Sequence, residues 1–347
     1  MADRDDVCVL IPTYNEAATI GTVVSGFVDE GFEHVLVIDG GSDDGTREVA
    51  ADAGARVVEQ TGEGNGSGKG QAVREALDRH VGQPYVLMLD GDATYRPGEA
   101  DRLLDPLLRG HADHVIGNRF ADMESGAMTR LNRIGNGIIN RAFSVIHGRY
   151  LTDILSGYRA FSLKSVQQFN LDADGFGIET ELSVECVKHG VPTEIVPVTY
   201  QARPNDSETN LRPFRDGSVI ILTLYQMAKT NNPLFYFGSV GVASSLVGII
   251  LAAYVGYEWF VAGISHEVIA VVAASGILFG VQLLIFGVLS DMIVALNREQ
   301  TRQLSEIARR LGDQEADDAG VTVEGDHSSN ASETGTEESE PASSRTP

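Results

Sequence analysis

Short apolar runs recur through the first third of the chain, at residues 7–11, 35–38, 56–59, 86–89 and 114–116. Runs this short and continuous, three of them followed directly by Gly or Asp, predict buried strands. Between them, residues 16–28, 46–53, 70–80 and 99–108 carry apolar positions at helical spacing. Strands alternating with helices predict an α/β fold, with a mostly parallel sheet covered on both faces. A more mixed stretch comes next, with helices predicted over 131–147 and 178–189 and a strand over 193–201. The alternation ends near residue 210.

The pattern then changes. Residues 215–229 place Val219, Ile220, Leu222, Leu224, Tyr225 and Met227 between charged ends. A core helix of a soluble protein has the same pattern, so the reading depends on the segments C-terminal to it. Residues 234–254 and 268–290 are uncharged apolar runs, each near the roughly 20 residues that cross a bilayer. The 215–229 segment therefore reads as an amphipathic helix in the membrane interface. The connection 256–267 has no Lys or Arg, whereas Arg298, Arg302, Arg309 and Arg310 come after the second run. Basic residues stay on the cytoplasmic side, which predicts both termini inside and the short loop outside. From about Gly312 the chain is mostly Asp, Glu, Ser, Thr and Gly, too polar to bury a core, and disorder is expected. The sequon Asn330-Ala-Ser332 falls there, on the side where it is expected to go unused. The expected organisation is 1–210 as the α/β domain, 211–232 as interfacial segment, 233–297 as a two-helix transmembrane hairpin, and 298–347 as a tail, basic and then acidic.

Charge narrows the chemistry. Net charge is −23, with only four lysines. That excludes a general nucleic-acid binder, which needs a basic footprint, and points to a halophilic source. Cys8 and Cys186 sit in unlike contexts, as in a reduced compartment. The polar N-terminus enters a strand at once, so no signal peptide is predicted.

Val86-Leu87-Met88-Leu89-Asp90-Gly91-Asp92 ends a predicted strand in two aspartates one residue apart. In open α/β sheets ligands bind beyond the carboxyl ends of the strands. Two hard carboxylates there suit Mg²⁺ or Mn²⁺ shared with substrate phosphates; solvated turn carboxylates would look the same in isolation. Val37-Ile38-Asp39-Gly40-Gly41-Ser42-Asp43-Asp44-Gly45-Thr46 ends the second strand. Ser42 and Asp43 read as caps for the next helix, which leaves Asp39 as a nucleoside contact. Ile11-Pro12-Thr13-Tyr14-Asn15-Glu16 ends the first strand. There Pro12 is expected to stop the ladder, with Tyr14 and Glu16 facing a base or ribose. Residues 62–70 form a glycine-rich run carrying Lys69. It fails the Walker pattern because Gly70 stands where Ser or Thr is required, yet Lys69 could be carried to a diphosphate.

Taken together, Pro-Thr-Tyr-Asn-Glu, Asp-Gly-Gly-Ser-Asp-Asp-Gly-Thr, Gly-Lys-Gly and Asp-Gly-Asp resemble glycosyltransferase family 2 over about the first 160 residues. Gly117-Asn118-Arg119-Phe120, Asn132-Arg133-Ile134-Gly135-Asn136 and Asp153-Ile154-Leu155-Ser156-Gly157-Tyr158-Arg159-Ala160 narrow the likeness to archaeal dolichyl-phosphate hexosyltransferases. The resemblance implies a GT-A catalytic domain followed by the membrane hairpin, in an inverting enzyme of the cell membrane that works on the cytoplasmic side. It implies that Pro12, Tyr14, Glu16, Asp39, Lys69 and Asp90 bind the nucleotide sugar. It implies too that Asp90 and Asp92, with Thr94, hold Mg²⁺ or Mn²⁺, that Arg119 and Arg133 bind the acceptor phosphate, and that Arg203 closes over the donor. Arg159 reads as structural.

The implied partners are a nucleotide sugar, dolichyl phosphate, the bilayer and other glycan-assembly enzymes, in N-glycosylation of surface-layer glycoproteins. Asp39-Gly40 stands where the family often has Asp-Asp. Thr94 stands where mannose-transferring relatives often have Gln. Both departures favour UDP-glucose over GDP-mannose as donor. Glu179 and Glu181 are candidate bases for a hydroxyl acceptor, although their place at a helix start explains them equally. The competing readings are a mannosyltransferase, a transferase extending a lipid-linked glycan, and a non-catalytic membrane scaffold. Trp259, the lone tryptophan, lies in the outer loop, so no Gln-x-x-Arg-Trp motif of processive synthases is present.

Overall fold

The computed structural model describes residues 4–61, 68–173, 175, 177–204, 220–222, 224–226, 228–229 and 232–327, with backbone only at 298, 299 and 301–327. The glycine-rich residues 62–67, most of the start of the interfacial segment and the sequon lie outside the described residues. Two compact units are present, Met1–Asp291 and Met292–Pro347.

In the first unit the strands are β1 (Val7–Thr13), β2 (His34–Asp39), β3 (Arg56–Glu59), β4 (Tyr85–Met88), β5 (His114–Met123), β6 (Arg159–Ser162) and β7 (Thr193–Tyr200). They form one sheet in the order β3-β2-β1-β4-β6-β5-β7. Its first four strands are mutually parallel, and β7 is parallel to β5. Strand β6 runs antiparallel to both β4 and β5. The mostly parallel sheet is as expected. The β6 strand is an addition, placed where the sequence showed only a motif. β1 runs through Pro12, which pairs with Ile38, so the expected stop at Pro12 is corrected. The β1–β4 pairing has already ended at Leu10 and Met88, and a residue with no N–H is tolerated where a strand has a free side.

The helices are α1 (Ala17–Asp29), α2 (Thr46–Asp52), α3 (Lys69–Arg79), α4 (Ala100–Leu108), α5 (Arg130–His147), α6 (Leu163–Val166) and α7 (Ile178–His189). Alternation along β1 divides the core. Val7, Val9 and Ile11 pack with Ile20, Val24 and Phe27 of α1 and Leu103 of α4. Cys8 and Leu10 pack with Val73 and Ala76 of α3 and Leu182 of α7. Each large apolar side chain fully buried this way contributes about 1.5–3 kcal/mol. A third cluster joins Ile139, Phe143 and Ile146 of α5 to Ile220, Leu224 and Ala228.

Two further helices are α8 (Pro233–Tyr257) and α9 (Glu267–His327). Within this part of the chain Pro233–Ala262 and Glu267–Asn297 are long and apolar enough to cross a membrane. They meet through small residues: a Cβ added at Gly241 would lie 2.7 Å from the Gly280 carbonyl oxygen, and one at Gly248 would lie 2.7 Å from that of Ala273. Backbones this close are how membrane helices pack in lipid. In the second unit helical backbone runs past Gly312 to His327, where disorder was expected.

His114 is a buried feature with a pH consequence. It is fully enclosed, its ring stacks on Phe161, and its Nε2 lies 3.4 Å from the Arg159 guanidinium. Burial, reinforced by the Arg159 charge, holds its pKa well below 6.5. The unfolded chain takes up this proton and the folded one does not. The His114 contribution is therefore intact above about pH 6.5 and is lost as pH falls below it. Thermal melts between pH 5 and 7.5 should show His114→Gln less acid-sensitive than the parent; equal slopes would refute this.

Candidate active site

The site lies beyond the carboxyl ends of β1, β2 and β4, where the strands hand over to loops. Asp90 and Asp92 come directly after β4. Lys69, the first residue of α3, forms ion pairs with both Asp90 and the buried Glu179 of α7. Arg203, after β7, forms an ion pair with Asp92. The Thr94 hydroxyl donates to Asp92 Oδ1 at 2.5 Å, and the Thr94 N–H donates to the same oxygen at 3.1 Å. Ala93, between them, takes a left-handed φ of 59°, a strained conformation for a residue with a side chain. This turn brings Thr94 back onto Asp92. Thr94, expected as a metal ligand, donates both its hydroxyl and its N–H to Asp92 and so orients that carboxylate.

Three carboxylates share this corner. Glu16 accepts from the Thr13 hydroxyl at 2.9 Å and lies where any Cβ at Gly91 would strike it, which is why Asp-Gly-Asp needs its glycine. Burial, then repulsion by Asp92 and Asp90, pushes Glu16 up to about 8. Burial and the Asp90 charge raise Asp92. Burial would raise Asp90 also, but Lys69, with Arg119 and Arg203, draws it below the ordinary range. For Lys69, burial would lower the pKa, and Asp90 and Glu179 reverse the direction. Carboxylates crowded closely enough to raise one another's pKa offer the hard oxygen donors that suit a divalent cation. Among the described residues no three His, Cys, Asp or Glu side chains converge as a cage, and a Mg²⁺ site completed by substrate phosphates needs none.

Arg119 on β5 is 8% exposed and is gripped by Asp153, which is fully enclosed. Its Nη2 donates to Oδ1 at 2.7 Å and its Nε to Oδ2 at 2.8 Å. The loop from Asp153 to β6 completes the floor. Gly157 donates its N–H to the Tyr95 hydroxyl at 3.1 Å, and its α-carbon faces the Asp90 carboxylate so closely that a Cβ would overlap it. Arg159 is fully enclosed and donates to the carbonyls of Ser156 and Ile154 at 2.8 and 2.6 Å, the structural place expected of it. Gly157→Ala should displace the Asp90 carboxylate and spare the fold. About a hundredfold loss of kcat/KM is expected with an unchanged circular dichroism spectrum; full activity would contradict it.

The other sequence-predicted residues occupy more varied places. Pro12 is buried in β1, Tyr14 is 47% exposed at the rim, and Arg133 is exposed on α5 and, among the described residues, forms no part of this ion-pair network. Asp39 is fully enclosed, and its carboxylate accepts from the N–H groups of Gly41 and Ser42 and from the Ser42 hydroxyl. These bonds shape the loop that follows β2. Ser42 and Asp43 do not cap α2 as expected. The helix starts later, at Thr46, and Asp44 accepts from the Thr46 N–H at 3.0 Å. Ser42 instead accepts from the Asn15 N–H at 2.8 Å. Glu181 accepts from the N–H groups of Asp172 and Ala173, both at 2.9 Å, and so holds a loop. The Lys69–Glu179 and Arg119–Asp153 pairs are not recognisable in the sequence, because their members are joined only by the fold.

Comparison with known proteins adds to this. Residues 8–167 match the model of glycosyl transferase family 2. The chain is 64% identical over 307 residues to glycosyltransferase AglJ of Haloferax volcanii, covering 88% of this chain and 100% of that one. It is 34% identical to the dolichyl-phosphate hexose transferase of the same organism, covering 62% of this chain and 91% of that one. Glucosyl-3-phosphoglycerate synthase from Mycobacterium tuberculosis, solved with Mn²⁺, UDP-glucose and phosphoglyceric acid, superposes with a TM-score of 0.51 at 23% identity, covering 64% of this chain and 79% of that one. That last likeness is one of fold, a GT-A-like α/β domain.

Proposed function

Because the chain belongs to glycosyltransferase family 2, we propose that it transfers a hexose, glucose from UDP-glucose, to dolichyl phosphate. The reading has it working at the cytoplasmic face of the cell membrane, with both termini inside. The product would enter lipid-linked glycan assembly for surface-layer N-glycoproteins, alongside other glycan-assembly enzymes. The observation that carries the reading is the corner where Asp90 and Asp92 meet Lys69, Arg203 and Arg119. Two carboxylates and three cations at the end of a parallel sheet suit a nucleoside diphosphate and a phosphate acceptor together.

In this mechanism Tyr14 borders the nucleoside, and Pro12, Asp39 and Glu16 fix the loops around it. Mg²⁺ or Mn²⁺ held by Asp90 and Asp92 would neutralise charge on the leaving diphosphate. Thr94 orients Asp92. Lys69 and Arg203 release their carboxylates and turn to the diphosphate. Arg119, fixed by Asp153, offers its remaining N–H to the acceptor phosphate, with Arg133 arriving from α5; guanidinium groups suit phosphate through paired planar donors. An acceptor phosphate oxygen attacks the anomeric carbon in line, and the bond to the diphosphate breaks with inversion. That oxygen is already ionised at neutral pH, so no general base is needed. Glu179 is instead the partner of Lys69. Thr94, in place of the Gln of mannose-transferring relatives, and Gly40 support the glucosyl over the mannosyl reading.

The test is to incubate purified protein at high salt with Mg²⁺ or Mn²⁺, dolichyl phosphate and, separately, labelled UDP-glucose, UDP-GlcNAc or GDP-mannose. Label from UDP-glucose in a lipid monophosphate sugar is expected. Transfer from GDP-mannose alone would replace the sugar assignment. Transfer only to a glycosylated lipid would replace the acceptor. Nucleotide binding without turnover would point to a scaffold.

A further inference from the structure

Lys69 is out of place for its own helix. It opens α3, at the positive end of the helix dipole, where a cation is disfavoured. The first turn of α3 has no acidic residue to offset it. What holds the ammonium there comes from elsewhere in the fold: Asp90 Oδ1 on one side and Glu179 Oε1 on the other.

The three side chains are graded in depth. Glu179 is 5% exposed, Lys69 11% and Asp90 30%. The innermost anion has support of its own. Glu179 lies in the first turn of α7, where the helix dipole favours negative charge, and its charge acts on the enclosed Arg159. Asp90 is the member open to the site, and one of its two oxygens is taken by the ammonium. A divalent cation arriving at Asp90 therefore meets a like charge already hydrogen-bonded to its ligand, and the two compete for the same carboxylate.

We propose that Glu179 is a positioning residue for the donor: it keeps the Lys69 ammonium when a divalent cation takes Asp90, so that the ammonium faces the diphosphate and leaves the metal its ligand. The inference deepens the proposed function and rests on its metal assignment. Its two consequences have opposite signs. Without the ammonium the metal has no rival at Asp90, so Lys69→Met should bind Mn²⁺ about tenfold more tightly than the parent, although it loses a cation for the diphosphate. Without the Glu179 charge the ammonium has only Asp90 to lean on, so Glu179→Gln should bind Mn²⁺ about tenfold more weakly.

The experiment titrates Mn²⁺ into full-length protein in detergent at one fixed salt concentration, without nucleotide, and follows binding by electron paramagnetic resonance. The proteins are the parent, the two single variants, Lys69→Met/Glu179→Gln and Asp90→Asn. The double variant removes both charges of the buried pair together, the change a fold tolerates best, and circular dichroism checks each one. Because Glu179 acts on the metal through Lys69, the double variant should match Lys69→Met and bind about tenfold more tightly than the parent. Two independent charge effects would instead add and return it to the parent value, which would overturn the positioning role. Lys69→Met no tighter than the parent, with Asp90→Asn weaker, would also overturn it and leave the metal assignment standing. Unchanged affinity in Asp90→Asn would remove both. At saturating Mn²⁺, calorimetric titration should show UDP binding about tenfold more weakly to Glu179→Gln as well as to Lys69→Met. Parent-like UDP affinity in Glu179→Gln would mean that the ammonium faces the diphosphate without help from Glu179, and the proposal would fall.

Discussion

Asp90→Asn should abolish hexose transfer, lowering kcat/KM on the order of a thousandfold, while the protein still folds and enters the membrane. The substitution keeps the shape and removes one charge. Lys69 retains Glu179 as partner, so no buried cation is left alone, and the fold has little reason to fail. What is lost is the carboxylate nearest the Gly157 floor, together with most of the attraction for a divalent cation. Mn²⁺ titration followed by electron paramagnetic resonance should show weakened binding in the same variant. Activity close to the parent, or undiminished Mn²⁺ affinity, would remove Asp90 from the metal assignment.

Asp153→Ala should be the more damaging change to the fold. It strips a bidentate partner from Arg119, which is enclosed along with it, and leaves a guanidinium buried without compensation. Breaking a buried pair from one side costs about 3–5 kcal/mol, here increased by the lost bond to the Arg119 N–H at 3.1 Å. A fall of about 10 °C in melting temperature is expected in detergent solution. Arg119→Met should be milder, because an apolar side chain there spares the burial of a cation, yet it should lose transfer to the acceptor. If Asp153→Ala melts like the parent, the pair does not hold this part of the site.

The contrast between these residues shows what a sequence reveals. Asp90 is legible because an apolar strand running into Asp-Gly-Asp is a local pattern, and local patterns survive without coordinates. Asp39 looks the same in sequence but is fully enclosed. Its carboxylate turns back onto N–H groups two and three residues ahead, and nothing in the side-chain pattern tells an inward carboxylate from an outward one. Glu179 is visible only as charge at a helix start, because its partner Lys69 belongs to another element. Strand β6 escapes notice for a different reason: Arg159-Ala-Phe-Ser is too short and too polar to announce a strand, and its burial comes from the neighbours on either side.

That strand has a consequence for how the protein is made. Strands β3, β2, β1 and β4 can assemble as soon as residue 88 has left the ribosome, but β4 then presents an unpaired edge. The strand that covers it, β6, is synthesised only at residues 159–162, after β5 and α5. Until then the nascent sheet ends in bare N–H and C=O groups, the kind of edge that recruits strands from other chains. Fragments ending between residues 88 and 159 should therefore aggregate through β4, and those ending between 162 and 193 through β5, which stays unpaired until β7 is made. Through β6 the late-made segment that carries Gly157 to the floor of the site also covers the edge of β4, so the chain closes that edge in the same step that shapes the corner around Asp90.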